Sequence, residues 1–456
     1  MGNVFSEKQN HFRMQKTAFF SLVVVMAVSF FLFILSWENY KGESNWKVFS
    51  RKVLPRGEDT LIHAVQRIRK LSLLSGLPTK IERKTNKSNI YSLGNVKTQS
   101  RGPENPVPIM NLSSFKKLPQ WSFEDIYNLD APLTPTTCPQ SLRNSKDEDF
   151  QKVFLPNICM FLHKDNFNIR EWNRLSHFNN PFGFMGFKYN DVMPVVKLIP
   201  KPKEPLLLPK PGGDGCVHCA VVGTGGILNG SKMGAEIDAH DYVFRMNAAV
   251  VDGYEEDVGN RTSVYVHTAH SITASPIFYR KFGYKAAPHD EGIKYVLIPE
   301  GLRDFQWLNA VIKGERVAEG EYRNRNARTY YSGQYNETRF YVLHQDFLRY
   351  VRNRFLKSGN LNRGYWAIVR PTNGAFAIFT ALHVCDTVSA YGFMTDDYSK
   401  YSNYYFQKYL KTNVVFYANH DYIMEKNLWK SFHERKIMKL FQKAKPQEKT
   451  EKPPPP

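Results

Sequence analysis

Apolar and polar positions along this chain divide it into regions of unlike character. Thr17 to Trp37 is an apolar run without a single charge. Its length of about 20 residues is what an α-helix needs to cross a hydrocarbon core. Lys8, Arg13 and Lys16 precede the run, whereas Glu38 and Glu43 offset the lysines after it. That asymmetry predicts a cytosolic tail (1–16), a transmembrane signal anchor (17–37) and a luminal remainder. The run exceeds the apolar core of a cleaved signal peptide, and no small-x-small site follows it.

Residues 38–135 are polar, rich in Lys, Ser, Asn and Pro, and weakly periodic, which predicts a flexible stem. Thr79 to Pro108 is its plainest spacer, and Leu61, Val65, Ile68 and Leu71 mark a short helix within Thr60 to Leu74. The tail 443–456, ending in four prolines, reads as disordered. Between stem and tail, 136–442 is dense enough in apolar residues for one catalytic-size domain.

Within this head, short apolar strands alternate with amphipathic segments. Strands are predicted at Cys219 to Val222, Tyr242 to Met246, Ser263 to Val266, Lys294 to Ile298, Tyr341 to Leu343 and Thr387 to Phe393. Helices are predicted at Met233 to Ile237, Arg303 to Lys313, Asp346 to Lys357 and Ala375 to Val384. The alternation predicts an α/β fold whose mainly parallel sheet is covered on both faces.

A net charge of +20 admits nucleic acid, an anionic membrane or a negatively charged small molecule as partner. No zinc-finger, RNP or homeodomain pattern accompanies the scattered Lys and Arg, so nucleic acid is disfavoured. Five cysteines in a luminal chain fit two disulfides and a spare thiol. Cys216 and Cys219 have C-x-x-C spacing, but no second pair completes a zinc site. Their partners lie among Cys138, Cys159 and Cys385. N-x-S/T sequons stand at Asn86, Asn111, Asn229, Asn260 and Asn336.

Three segments carry candidate chemistry. Gly223-Thr-Gly-Gly226 follows a strand and precedes a helix, a place where backbone N–H groups meet phosphate. Position 228 is Leu, so the dinucleotide fingerprint is incomplete, and a structural glycine bend is the competing reading. His420, five residues before Glu425, is a candidate general base for a sugar hydroxyl, or a structural histidine. Pro371-Thr-Asn-Gly374 opens a helix and either caps it or contacts an anion. The acidic groups Glu255-Glu256-Asp257 and Asp396-Asp397 read as solvated surface rather than a metal site.

Together and in this order, these segments resemble the animal sialyltransferase family. Cys219 through about Thr262 is similar to its long donor-binding motif, most distinctively at Gly234 to Arg245. Pro371 to Gly392 resembles the short motif, Ser402 to Gln407 the third motif, and His420 with Glu425 the final His-x4-Glu motif. Gln151 to Asn157 and Pro181 to Met185 look most similar to the GalNAc alpha-2,6 branch of the family.

The resemblance implies a single Rossmann-like domain, a GT-A-type variant, moving sialic acid from CMP-N-acetylneuraminate (CMP-sialic acid) to the 6-hydroxyl of O-linked GalNAc on glycoproteins. It implies His420 as the base, supported by Glu425, and inversion without an obligatory metal or cofactor. Gly223, Thr224, Gly225, Gly226, Asn247, Asn373, Gly374 and Tyr405 would bind the donor. Cys219 would pair with Cys385, Cys138 with Cys216, and Cys159 would be spare. A Golgi membrane address and, as partners, O-glycosylated glycoproteins and a second copy or another transferase complete the expectation. The chain departs from the family pattern at Thr224, Asn373, Tyr404 and Gln407. The alternative these departures raise is a catalytically silent Golgi protein that binds glycoprotein or a partner transferase.

Overall fold

This computed structural model describes residues 104–443, except 130, 133–135, 204, 409 and 411. The expected cytosolic tail, anchor, helix at 60–74 and Asn86 lie outside the described residues. So do most of the expected stem and the C-terminal tail. Among the described residues no helix is long and apolar enough to cross a membrane.

Seven strands form one sheet: β1 His218–Val222, β2 Tyr242–Met246, β3 Val264–His267, β4 Lys294–Leu297, β5 Phe340–Val342, β6 Thr387–Tyr391 and β7 Lys439–Leu440. Their order is β5-β4-β3-β2-β1-β6-β7, and every neighbouring pair is parallel. β1 to β5 are buried along almost their whole length. β3 and β5 are buried at every position, as expected of a sheet covered on both faces. Alternate side chains still sort to different cores. Cys219, Val221 and Phe244 enter the larger one, whereas Ala220, Val222 and Val243 enter the smaller one.

The helix Asn373–Val384 packs on the larger core, with Ala375 through His383 all buried. Leu302–Lys313 is amphipathic and stops at Gly314, whose φ of 74° is open to glycine. The predicted helix from Asp346 to Lys357 differs in detail. It is α over Gln345–Tyr350 and widens to a π turn over Val351–Phe355. Its Arg349 and Arg352 are buried, each stacked on aromatic rings at about 4 Å. Arg352 also donates to the Ser122 carbonyl at 2.6 Å. Through these arginines, residues 122–127, upstream of position 136, are fastened to the sheet-bearing unit.

Both disulfides are present, Cys138–Cys216 and Cys219–Cys385. Cys159 is buried outside both bridges, and its sulfur takes an N–H from Asn166 at 3.1 Å. Asn111, Asn260 and Asn336 are exposed, and Asn229 is half-buried.

Candidate active site

The chain lays down β1 to β5 outward in one direction, then returns to place β6 on the other side of β1. Connections leaving the C-terminal ends of β1 and β6 therefore diverge, opening a crevice where ligands bind in such sheets. A cleft of about 720 Å³ lies there, within the range of small-molecule sites.

Its floor is made of backbone. β1 runs into Gly223 and β6 into Gly392, and the two turns touch. The Gly223 amide donates to the Tyr391 carbonyl at 2.8 Å, and the Gly225 amide to the Gly392 carbonyl at 2.9 Å. A Cβ on Gly225 would stand 2.6 Å from the Gly392 oxygen, and one on Gly226 would stand 2.0 Å from the Ser402 oxygen. Glycine is required here because chain meets chain, a reason separate from any ligand. Beside the floor, Asn247 has a φ of 53°, and its side-chain oxygen accepts from Asn373 Nδ2 at 2.8 Å. Asparagine tolerates this left-handed conformation better than most residues.

Three helices begin at the cleft: Ala269–Phe278, Asn373–Val384 and Tyr422–Glu434, with Thr268, Thr372 and Asp421 as their N-caps. Residues of the first turn of each line the cavity. Helix N-termini carry partial positive charge, so their convergence suits an anionic ligand. Thr372 does cap its helix, accepting from the Ala375 amide at 3.0 Å, while Asn373 beside it faces the cleft. The capping reading of that motif therefore holds at Thr372.

The wall opposite is built around His420, which precedes its helix by two residues. Its Nδ1 lies 2.9 Å from the Arg370 carbonyl. A carbonyl can only accept, so Nδ1 carries the proton and Nε2 keeps its lone pair. The Asn419 side-chain amide donates to Nε2 at 3.2 Å. Arg370 is fixed in turn, its amide donating to the Asn419 carbonyl at 2.9 Å and its guanidinium pairing with buried Glu300. Burial pushes the His420 imidazole down to about 4, and the Arg370 charge acts in the same direction. The ring is therefore neutral at neutral pH, with Nε2 unprotonated.

Glu425 does not touch His420. Its two oxygens accept from the Thr372 amide at 2.7 Å and the Thr372 hydroxyl at 2.6 Å. It thereby holds the Arg370–Thr372 segment whose carbonyl orients the imidazole. Burial pushes its carboxyl up to about 7, against the opposing pull of those hydrogen bonds. Glu300 behaves oppositely. Burial alone would raise it, yet Arg370 and Arg303 hold it below its ordinary value.

Every residue expected to act in catalysis or to bind the donor borders this cleft except one. Tyr405 is a correction: it is 1% exposed, and its hydroxyl donates to the Val250 carbonyl inside the smaller core. Tyr404 lines the cleft instead, because the extended segment bridges to Gly225 and turns successive side chains to opposite sides. Gln407 accepts from the Tyr404 amide at 3.3 Å and from Thr412 Oγ1 at 2.8 Å, which pins the loop. Sequence reasoning missed Thr268, His270, Ser271, Glu300, Arg370 and Tyr279, all of which line the cavity. Thr268 and Glu300 come just after β3 and β4, so position beyond a parallel strand was the available signal.

Among the described residues, Asp214, Cys216 and His218 form a group of three potential metal ligands, but the Cys216 sulfur is bonded to Cys138. Asp257 instead accepts from the Gly230 and Lys232 amides, and Asp396 pairs with Lys426 and Lys430.

Residues 161–437 match glycosyltransferase family 29 (sialyltransferase). The chain is 44% identical over 342 residues to alpha-N-acetylgalactosaminide alpha-2,6-sialyltransferase 1 of Gallus gallus, covering 74% of this chain and 60% of that protein. It is 43% identical to the Homo sapiens protein of the same name, covering 74% and 57%. With alpha-N-acetylgalactosaminide alpha-2,6-sialyltransferase 2 of Mus musculus the identity is 39%, covering 66% and 82%. The chain thus spans about three-fifths of the length of the first two relatives. A crystal structure of a mammalian sialyltransferase aligns with a TM-score of 0.49 at 23% identity, covering 68% of this chain and 99% of that chain. The family match runs from before β1 to beyond the His420 helix and so takes in the floor and the wall of the cleft: the chain belongs to glycosyltransferase family 29.

Proposed function

We propose that the protein is a sialyltransferase that moves sialic acid from CMP-N-acetylneuraminate to the 6-hydroxyl of GalNAc O-linked to glycoproteins. The observation that carries this reading is the neutral His420 imidazole, held with its unprotonated Nε2 in the cleft beside the glycine floor, where an acceptor hydroxyl would take the place of the Asn419 amide. Nε2 takes the proton of the acceptor 6-hydroxyl, and that oxygen bonds to the anomeric carbon of the sialic acid. The bond from that carbon to the phosphate oxygen breaks, and CMP departs with the electron pair. Attack from the face opposite CMP inverts the anomeric centre. The leaving group is already good, so catalysis consists mainly of placing two substrates and stabilising the charge on the phosphate.

The anion is received by the converging helix N-termini, the Gly223–Gly226 turn with Thr224, and the linked amides of Asn247 and Asn373. Glu425 acts as a positioning residue through Thr372 and Arg370. The domain is a Rossmann-like GT-A-type variant that takes in residues 122–127 as well as 136–442, carried on a stem that begins at 38 and anchored by 17–37 in the Golgi membrane, with the head luminal. The departures at Thr224, Asn373, Tyr404 and Gln407 bear on the rate of transfer, and Gln407 holds its own loop by accepting from the Tyr404 amide and the Thr412 hydroxyl.

The experiment is transfer from CMP-sialic acid by the full chain in lipid nanodiscs, with EDTA, onto GalNAc-peptide and galactosyl-GalNAc-peptide. Product on either is expected and identifies the preferred acceptor. A folded protein that binds CMP and forms no product would replace this reading with the silent glycoprotein-binding one.

A further inference from the structure

Large apolar side chains remain exposed around the mouth of the cleft. Ile277 and Phe278 end one of the three helices at 65% and 59% exposure, and Phe416 and Tyr417 stand at 48% and 54%. Phe278, Phe416 and Tyr417 are tied to the catalytic wall, and Ile277 adjoins Phe278 in the chain. Phe278, Val415 and Tyr417 line the same cavity as His420. The Phe416 ring packs edge-on against Tyr422 at 5.5 Å, and Tyr422 against His420 at 5.6 Å. The His420 amide also donates to the Tyr417 carbonyl at 3.1 Å. Isolated exposed apolar residues need no explanation, but a group of them at the rim of a site marks a docking surface.

We infer that this rim binds the polypeptide carrying the acceptor sugar, through apolar residues or proline flanking the glycosylated Ser or Thr. The inference rests on the transferase reading above. Its argument is one of reach. The acceptor is a single pyranose joined by C1 to a side-chain oxygen, and the reacting hydroxyl sits on the same ring. With that hydroxyl at His420 Nε2, the peptide lies one sugar ring from the base, which is where the rim stands. An extended glycan presents mostly hydroxyl groups and calls for polar partners, whereas aromatic and aliphatic side chains match peptide side chains. Binding energy gained there serves the reacting centre from a distance.

The test compares kcat/KM of the full chain in nanodiscs on two acceptors, GalNAc-peptide with Ala, Pro and Val flanks and GalNAc alpha-methyl glycoside. Wild type is set beside Ile277→Ser, Phe416→Ser and Phe416→Leu. Each Ser variant is expected to lose about tenfold on the peptide through KM, the size of a partly buried apolar side chain. Both should leave the methyl glycoside unchanged, and Phe416→Leu should retain most peptide activity. Equal loss on both acceptors, or none on either, overturns the inference. So does a finding that the Ser substitutions abolish self-association or binding to protein-free vesicles while sparing peptide transfer. Wild type inactive on both acceptors overturns the transferase reading itself, whereas an active wild type with unaffected variants overturns only this inference.

Discussion

The floor and the wall of the cleft are built by different means. At the floor, two strand ends meet backbone to backbone, and Gly223, Gly225 and Gly226 are required because any Cβ would strike a carbonyl oxygen. At the wall, His420 is set by a relay of side chains and carbonyls running from Glu300 through Arg370 and from Glu425 through Thr372. The floor is specified by excluded volume, so it tolerates no side chain. The wall is specified by hydrogen-bond direction, so it should tolerate changes that keep an acceptor in place. Substitutions should separate binding from chemistry along this division.

The largest effect is expected from His420→Ala, which should lower kcat about 10²–10⁴-fold while leaving CMP affinity nearly unchanged. Steady-state kinetics with calorimetric titration of CMP would measure both, and transfer at the wild-type rate would remove His420 as the base. Gly226→Ala should act on the other side of the division. Its Cβ would fall 2.0 Å from the Ser402 oxygen, so the floor must shift. Such overpacking costs about 1–3 kcal/mol, and CMP affinity should fall with the thermal midpoint. Wild-type CMP binding by this variant would show that the floor does not hold the donor.

Glu425→Gln should have the smallest effect, because one of its two acceptor oxygens is retained. Its signature is pH dependence. The wild-type carboxyl is raised from 4.5 to about 7, so its protonated form favours the fold. The associated stability is full below 4.5 and is lost as pH rises through 7. Thermal midpoints from pH 4 to 8 should show the wild type losing ground to the variant across that window. A constant difference would mean that Glu425 is not the titrating group.

Most of the sheet was legible because parallel strands buried on both faces read as short apolar runs, and β2 coincides with the stretch read from Tyr242 to Met246. The candidate base was legible as a residue, since a motif carries side-chain identity. Its surroundings were not. The Arg370 carbonyl that selects the tautomer belongs to backbone, which has no signature in residue type. Glu300 lies 120 positions before His420 and is joined to it through Arg370. Tyr405 was misplaced for a related reason. A motif locates a stretch of chain, but the face each residue shows depends on the bridge its neighbour Tyr404 makes with Gly225.

The bridge between Cys219 and Cys385 joins the N-terminal ends of β1 and β6, whereas the ligand cleft lies at their C-terminal ends. Closing a loop of 166 residues removes roughly 5 kcal/mol of freedom from the unfolded chain. Mechanically the molecule resembles a book bound along its spine, with covalent bonding at the back and only hydrogen bonds at the opening edge. The covalent link thus fixes the alignment of the two strands from the end remote from the cleft, so cutting it would loosen the floor without removing any group that lines it.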